Sequence, residues 1–128
     1  MKNFDIWNKE KKDIDNTKMH VWSRERDIWW CSLGENVGYE QDGKGEKYLR
    51  PVIVIKNFGV YTALIVPLTT SLKENRFHFK LGSILGKDAS GIITQIRLID
   101  TKRLVEKEGK LSEEVFIKLK KSIQDLLA

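Results

Sequence analysis

Arg50 stands directly before Pro51 at the head of the apolar run Val52-Ile-Val-Ile55, and Thr69 closes a second apolar run, Ala63 to Leu68. A guanidinium offers a rigid fork of donors that matches phosphate oxygens and keeps its charge across the physiological range. Pro51 biases Arg50 toward extended backbone, so the cation rides on a stiff strand that follows a glycine-rich loop. If the two runs pair as a hairpin, the Thr69 hydroxyl lies beside Arg50 and the two can hold one phosphate. Glu40, in the preceding loop, is a more credible base than an arginine. His78 adds the side-chain type that titrates near neutrality. Such a set suits proton transfer at a crowded, highly charged phosphorus centre. Each residue also has an ordinary reading: a solvated charge before a strand, a threonine chosen for β propensity, a loop carboxylate paired with Arg50, an exposed strand histidine.

These residues need elements to place them. Arg26 to Leu33 is rich in aromatic and apolar residues and ends at a glycine, which reads as a first strand. Gly34 to Leu49 holds four glycines among charges and reads as a long loop. Arg50–Lys56 and Thr62–Leu68 are β-branched runs joined by Asn57-Phe-Gly-Val-Tyr61, a hairpin whose strands are buried on both faces or nearly so. Phe77, Phe79 and Leu81 alternate with His78 and Lys80, placing the histidine on the polar face of a half-buried strand. Gly91 to Ile99 reads as a further strand, and Asp100 to Arg103 as the start of a short turn or helical piece. Ser112 caps a last helix, with Glu113 and Glu114 at its positive end and Val115, Phe116, Leu119, Ile123, Leu126 and Leu127 along one face. Before all this, Phe4, Trp7 and Ile14 share a face at helical spacing, with Asn3 as cap, so an amphipathic helix ending near Asn16 is expected. Five or so short strands and a terminal helix point to a small barrel.

Composition bounds the function. The 128 residues, 41% hydrophobic and 32% charged, fit one globular domain with a real core. The longest apolar runs are strand-sized and the charged N-terminus lacks an apolar signal region, so no membrane contact and a cytoplasmic location are expected. A single cysteine, Cys31, excludes an internal disulfide, and with two histidines it gives no metal-ligand spacing. Cys31 lies within a strand-like run and is expected to be buried packing. The net charge is +5. Residues 1–22 carry five lysines against four acids, so most of the basic excess travels with residues 23–128 and points to a polyanion or an acidic partner.

Taken together, the motifs resemble the MazF/PemK family of toxin endoribonucleases. The resemblance rests on Asp27-Ile-Trp-Trp30, the Gly38-Tyr-Glu-Gln41 loop, Arg50-Pro51, the strand ending Pro67-Leu-Thr-Thr70, and Gln95-Ile-Arg97 followed by Asp100 and Arg103-Leu104. It spans about residues 24 to 128. It implies an α+β, mainly β protein: a small SH3-like barrel with an N-terminal amphipathic helix and a C-terminal helix, divided into a 1–22 extension and a 23–128 toxin domain. It also implies cleavage of single-stranded RNA, mRNA above all, without metal or cofactor. The 2′-hydroxyl attacks its own phosphate and leaves a cyclic phosphate and a 5′-hydroxyl. Arg50 and Thr69 would be the catalytic pair, with Glu40 active or arranging the site. Gln41, Lys44, Lys47, Tyr48, Thr70, His78 and Gln95 would contact RNA, and Arg97 and Arg103 would hold phosphates or buttress the fold. Asp100 and Arg103 can instead form a surface pair, and the second reading leans structural for Arg103. Of Trp29 and Trp30, which point to opposite faces, one must be core. A homodimer and an acidic antitoxin are the implied partners.

Two features depart from that pattern. The loop from Asp42 to Leu49 is longer than usual, and the segment before Met19 is extra. Other classes also fit the same barrel. One is a non-catalytic inhibitor of a protein target, as the CcdB gyrase poisons are; another is a plain RNA-binding barrel. Neither needs the Arg50 and Thr69 pair.

Overall fold

The computed structural model describes residues 19–33, 49–70 and 77–128. The helix expected before Asn16 and the loop residues Glu40, Gln41, Lys44, Lys47 and Tyr48 lie outside them. Seven strands make one curled antiparallel sheet: β1 (Asp27–Ser32), β2 (Leu49–Asn57), β3 (Thr62–Thr69), β4 (His78–Ile84), β5 (Lys87–Ile92), β6 (Arg97–Asp100) and β7 (Leu104–Lys110), followed by helix α1 (Glu113–Leu126). The order is β4-β5-β3-β2-β1-β7, with β6 also paired to β3.

The expected hairpin forms the centre. β2 and β3 are buried on both faces because each serves two cores. Ile53, Ile55, Val66 and Leu68 pack with Leu81, Ile93 and the α1 residues Phe116, Leu119 and Ile123. Their alternates Val52, Val54, Ala63 and Ile65 pack with Trp29, Cys31, Ile99 and Leu104 in a second cluster. Period-two alternation therefore sends one strand's apolar residues into both cores, which is why the sequence shows unbroken apolar runs. Trp29 is the core tryptophan and Trp30 is half-buried on the other side.

The expected single strand from Gly91 to Ile99 is two. β5 meets β3 at Leu68 and Thr69, whereas β6 meets it at Thr62 to Ile65. A 3-10 turn at Ile93–Gln95 carries the chain from one contact to the other. β5 also begins earlier, at Lys87, after a two-residue hairpin loop. Leu85 and Gly86 both have positive φ, 53° and 81°, the combination that matches strand twist in a tight hairpin. β7 has no counterpart in the sequence reading. Glu106, Lys107, Glu108 and Lys110 are exposed along an edge strand, so charge hides its periodicity. It is held by pairing with β1.

The connection from Asp100 is the expected short helical piece, a 3-10 turn at Thr101–Arg103 in which the Asp100 side chain accepts from Lys102 N. Ser112 caps α1, its hydroxyl accepting from Val115 N at 3.3 Å. Leu127, expected on the buried face, is 83% exposed because the helix ends at Leu126 and turns it outward. Among the described residues no helix is long and apolar enough to cross a membrane.

Candidate active site

The curled sheet has two ends, and one collects the residues singled out for chemistry. β2 pairs with β3 in a register that sets Val52 opposite Pro67. Two residues back along β2 and two forward along β3 bring Arg50 opposite Thr69. The guanidinium confirms the proximity: Nη1 of Arg50 donates to the Leu68 carbonyl at 3.0 Å. Arg50 is only 6% exposed, so it is no loose surface charge. Its burial follows from its place as the second residue of a central strand, with Cys31 of β1 paired on its other side. Thr69 is the last residue of β3, half-buried, and Thr70 directly after it is exposed. Where β3 ends, a hydroxyl and a buried cation thus share one edge of the sheet.

Two more arginines approach from β6 and the turn after it. Arg97 is paired to Ile65, and so shares the sheet face of Ile65. Arg103 donates from Nη1 to the Ser32 carbonyl at 3.2 Å, tying the 3-10 turn to the end of β1. This contact buttresses the fold. Asp100 Oδ1 lies 3.1 Å from Nε2 of His20 and accepts from Lys102 N. Burial lowers the pKa of Arg103, and the nearby charge of Arg97 lowers it further. The charge of Asp100 also acts on Arg103, raising its pKa. Two guanidiniums close enough to repel favour an anion between them.

Cys31 lies beneath this cluster. It is fully buried, and burial pushes its thiol up to about 12 against the opposing pull of Arg103 and Arg97. The thiol therefore stays neutral and serves as packing, as expected from its place in the strand.

His78 begins β4 opposite Ile92. By register its side chain shares the face of Thr69 and Ser90, and it is half-buried rather than exposed. Its Nδ1 is buried and has no hydrogen-bond partner. An orphaned ring nitrogen is costly. Gln95, half-buried, ends the 3-10 turn that runs beside Val66 and Pro67, within a few residues of Thr69 along β3. Sequence reasoning therefore brought Arg50, Thr69, Thr70 and Gln95 to one region and His78 to its border. It did not place Arg97 beside Arg103, since no linear spacing reveals that β6 and the following turn meet over Cys31.

Residues 24–127 match the model of the PemK-like, MazF-like toxins of type II toxin–antitoxin systems. The chain belongs to this family. It is 30% identical over 112 residues to Endoribonuclease EndoA of Bacillus subtilis (strain 168), a match that covers 80% of this chain and 91% of that protein. Its fold is similar to the crystal structure of MazF from Deinococcus radiodurans, with a TM-score of 0.70 at 20% identity over 84% of this chain and 97% of the other. It is also similar to an endoribonuclease from a mycobacterial species solved in complex with its cognate antitoxin, with a TM-score of 0.62 at 14% identity over 83% of this chain and 95% of that one. PemK-like and MazF-like membership thus joins the Arg50-Pro51 strand and the Pro67-to-Thr70 strand end in one fold.

Proposed function

We propose that this toxin cuts single-stranded RNA at the Arg50 and Thr69 edge by attack of a 2′-hydroxyl on the adjacent phosphate, with no metal in the reaction. Family membership and the relation to an endoribonuclease make the chain an RNA-cleaving toxin of a type II toxin–antitoxin system. The observation that carries the mechanism is Arg50: a buried guanidinium, fixed by the Leu68 carbonyl at 3.0 Å, at the edge where Thr69 ends its strand. A cation held in place before substrate arrives stabilises the phosphorane without reorganising, which is where such donors contribute most to rate. Thr69 would hold a non-bridging oxygen of the same phosphate.

The proton leaves the 2′-hydroxyl for a base and reaches the 5′-oxygen from an acid. Glu40 is the candidate base, and His78, whose Nδ1 lacks a partner, is the candidate for the other transfer. Gln95 would read a base edge, while Gln41, Lys44, Lys47, Tyr48 and Thr70 would line the RNA path, with Tyr48 stacking on a base. Arg97 and Arg103 would attract a flanking phosphate.

Several finer features belong to the same reading. The sheet closes as an SH3-like barrel, residues 1–22 are an N-terminal extension to it, and residues 23–128 act as the toxin domain. The protein works in the cytoplasm as a homodimer. An acidic antitoxin folds onto its basic surface and silences it; the mycobacterial relative is described with its cognate antitoxin.

The deciding experiment incubates the purified protein with a long RNA in EDTA and maps the fragment ends. Cyclic phosphate and 5′-hydroxyl ends are expected, and a deoxynucleotide placed 5′ of the cut should block cleavage while sparing binding. Cleavage that survives the deoxy substitution, or that requires magnesium, would overturn the mechanism.

A further inference from the structure

The Arg50 and Thr69 edge does not end at Thr69. Thr69 pairs with Ser90 of β5, and Ser90 pairs in turn with Lys80 of β4. Directly paired residues of neighbouring strands point to the same side of a sheet. Arg50, Thr69, Ser90 and Lys80 therefore form one row across β2, β3, β5 and β4. With strands about 4.8 Å apart, Lys80 starts about 10 Å beyond Thr69. One phosphate held by Arg50 and Thr69 does not span that distance. The next one along a chain laid across the strands does.

The composition of the row fits such a path. Ser90 is small and 7% exposed, so it leaves a low polar floor between Thr69 and the lysine. Lys80 is exposed, and its stem is long enough for the ammonium to reach over that floor. β4 is the outermost described strand on this side of the sheet, so the row ends at Lys80. From Arg50 to Lys80 it runs from one cation through two hydroxyls to another.

We infer that Lys80 and Ser90 form a second phosphate subsite, which holds the RNA backbone one or two nucleotides from the cut and sets the direction in which the strand crosses the sheet. This rests on the endoribonuclease reading above. Lys80 makes the ionic contact, and Ser90 donates a hydroxyl while keeping the path open.

The test uses the full chain and an oligoribonucleotide built around a mapped cut, with a 2′-deoxy nucleotide at the nucleophile position to prevent turnover. Binding is measured against salt for wild type, Lys80→Ala and Lys80→Arg. Loss of one ionic contact to a single strand should reduce the slope of log affinity against log salt by about 0.7, and Lys80→Arg should restore it. A scan then replaces each flanking phosphate by a neutral methylphosphonate. Wild type should lose several-fold in affinity at one position on one side of the cut, and Lys80→Ala should lose nothing further at that same position. With cleavable RNA, Lys80→Ala should raise KM and keep kcat, since the contact acts equally on ground and transition states. An unchanged salt slope, or a loss spread evenly over every phosphate, would overturn the subsite while leaving cleavage by Arg50 intact. A protein that cuts no RNA at all would remove both this inference and the reading beneath it.

Discussion

The two ends of the β2–β3 hairpin are built on opposite principles. At the turn end, polar groups are closed by local partners. Asn57 donates to the Ser23 carbonyl at 2.7 Å and accepts from Gly59 N at 2.8 Å. Thr101, fully buried, donates its hydroxyl to the Val60 carbonyl and its N–H to the Tyr61 carbonyl at 3.0 Å. His20 packs edge-on against Tyr61 and lies at hydrogen-bonding distance from Asp100. At the other end, burial and the charge of Arg97 lower the pKa of Arg103 against the pull of Asp100, and the buried Nδ1 of His78 is left without a partner. A structure optimised only for stability would have no reason to gather cations there. One end spends its residues on closure, and the other gathers arginines beside a buried ring nitrogen that lacks a partner.

That contrast can be broken by substitution, beginning with Arg50. Arg50→Ala should lower the cleavage rate by a few hundredfold, equivalent to about 3 to 4 kcal/mol of lost transition-state stabilisation. It also leaves the Leu68 carbonyl without this donor, which costs about 1 to 3 kcal/mol of stability. Single-turnover cleavage together with thermal melting separates the two effects, and near-normal cleavage by a folded variant would refute the assignment. Thr69→Ala should slow cleavage by a smaller factor, about tenfold to a hundredfold for one neutral contact, and should melt close to wild type.

The turn end should answer in the other currency. Thr101→Val keeps the shape but leaves the Val60 carbonyl unsatisfied, so denaturant unfolding should show a loss of about 1 to 3 kcal/mol. Cleavage per folded molecule should not change. If cleavage falls with stability intact, the two ends are coupled and the division drawn above is wrong.

A smaller effect concerns the thiol beneath the arginines. Its pKa is raised from 9.0 to about 12 in the folded chain, so below pH 9 the thiol is neutral in both states and costs nothing. Between pH 9 and about 12 only the unfolded thiol ionises, which pulls the equilibrium toward unfolding. Stability should therefore fall as pH rises through that window, and Cys31→Ala should flatten this part of the profile. At pH 8 the native protein should resist thiol-modifying reagents until denaturant is added. Rapid modification of the folded chain would show that Cys31 is more accessible than its burial implies.

The smallest and most local change sharpens the site end itself. Shortening the loop from Asp42 to Leu49 should shift which bases flank the cut while melting stays near wild type, because Lys44, Lys47 and Tyr48 lead directly into Arg50. An unchanged cleavage motif, mapped by end sequencing, would assign sequence preference to another part of the chain.

Sequence by itself determined the central hairpin, the helix cap and the place of Arg50 at the start of its strand. Val52 to Ile55 and Ala63 to Leu68 have strong β propensity and no alternative partner period, Ser112 is a local hydrogen-bonding device, and Arg50-Pro51 is a rigid dipeptide; each acts over a few residues. Tertiary structure decided what depends on pairing between distant strands. It split Gly91 to Ile99 at a 3-10 turn because β3 accepts two partners at different heights. It formed a strand from Leu104 to Lys110 out of mostly charged residues because the β1 edge needed a partner. It chose Trp29 over Trp30 for the core, drew Arg97 toward Arg103, and set Ser90 and Lys80 in line with Thr69. Register is the reason for the last two: a single-residue slip of β5 or β6 would send each of those side chains to the opposite face, and only the packed sheet holds the register in place.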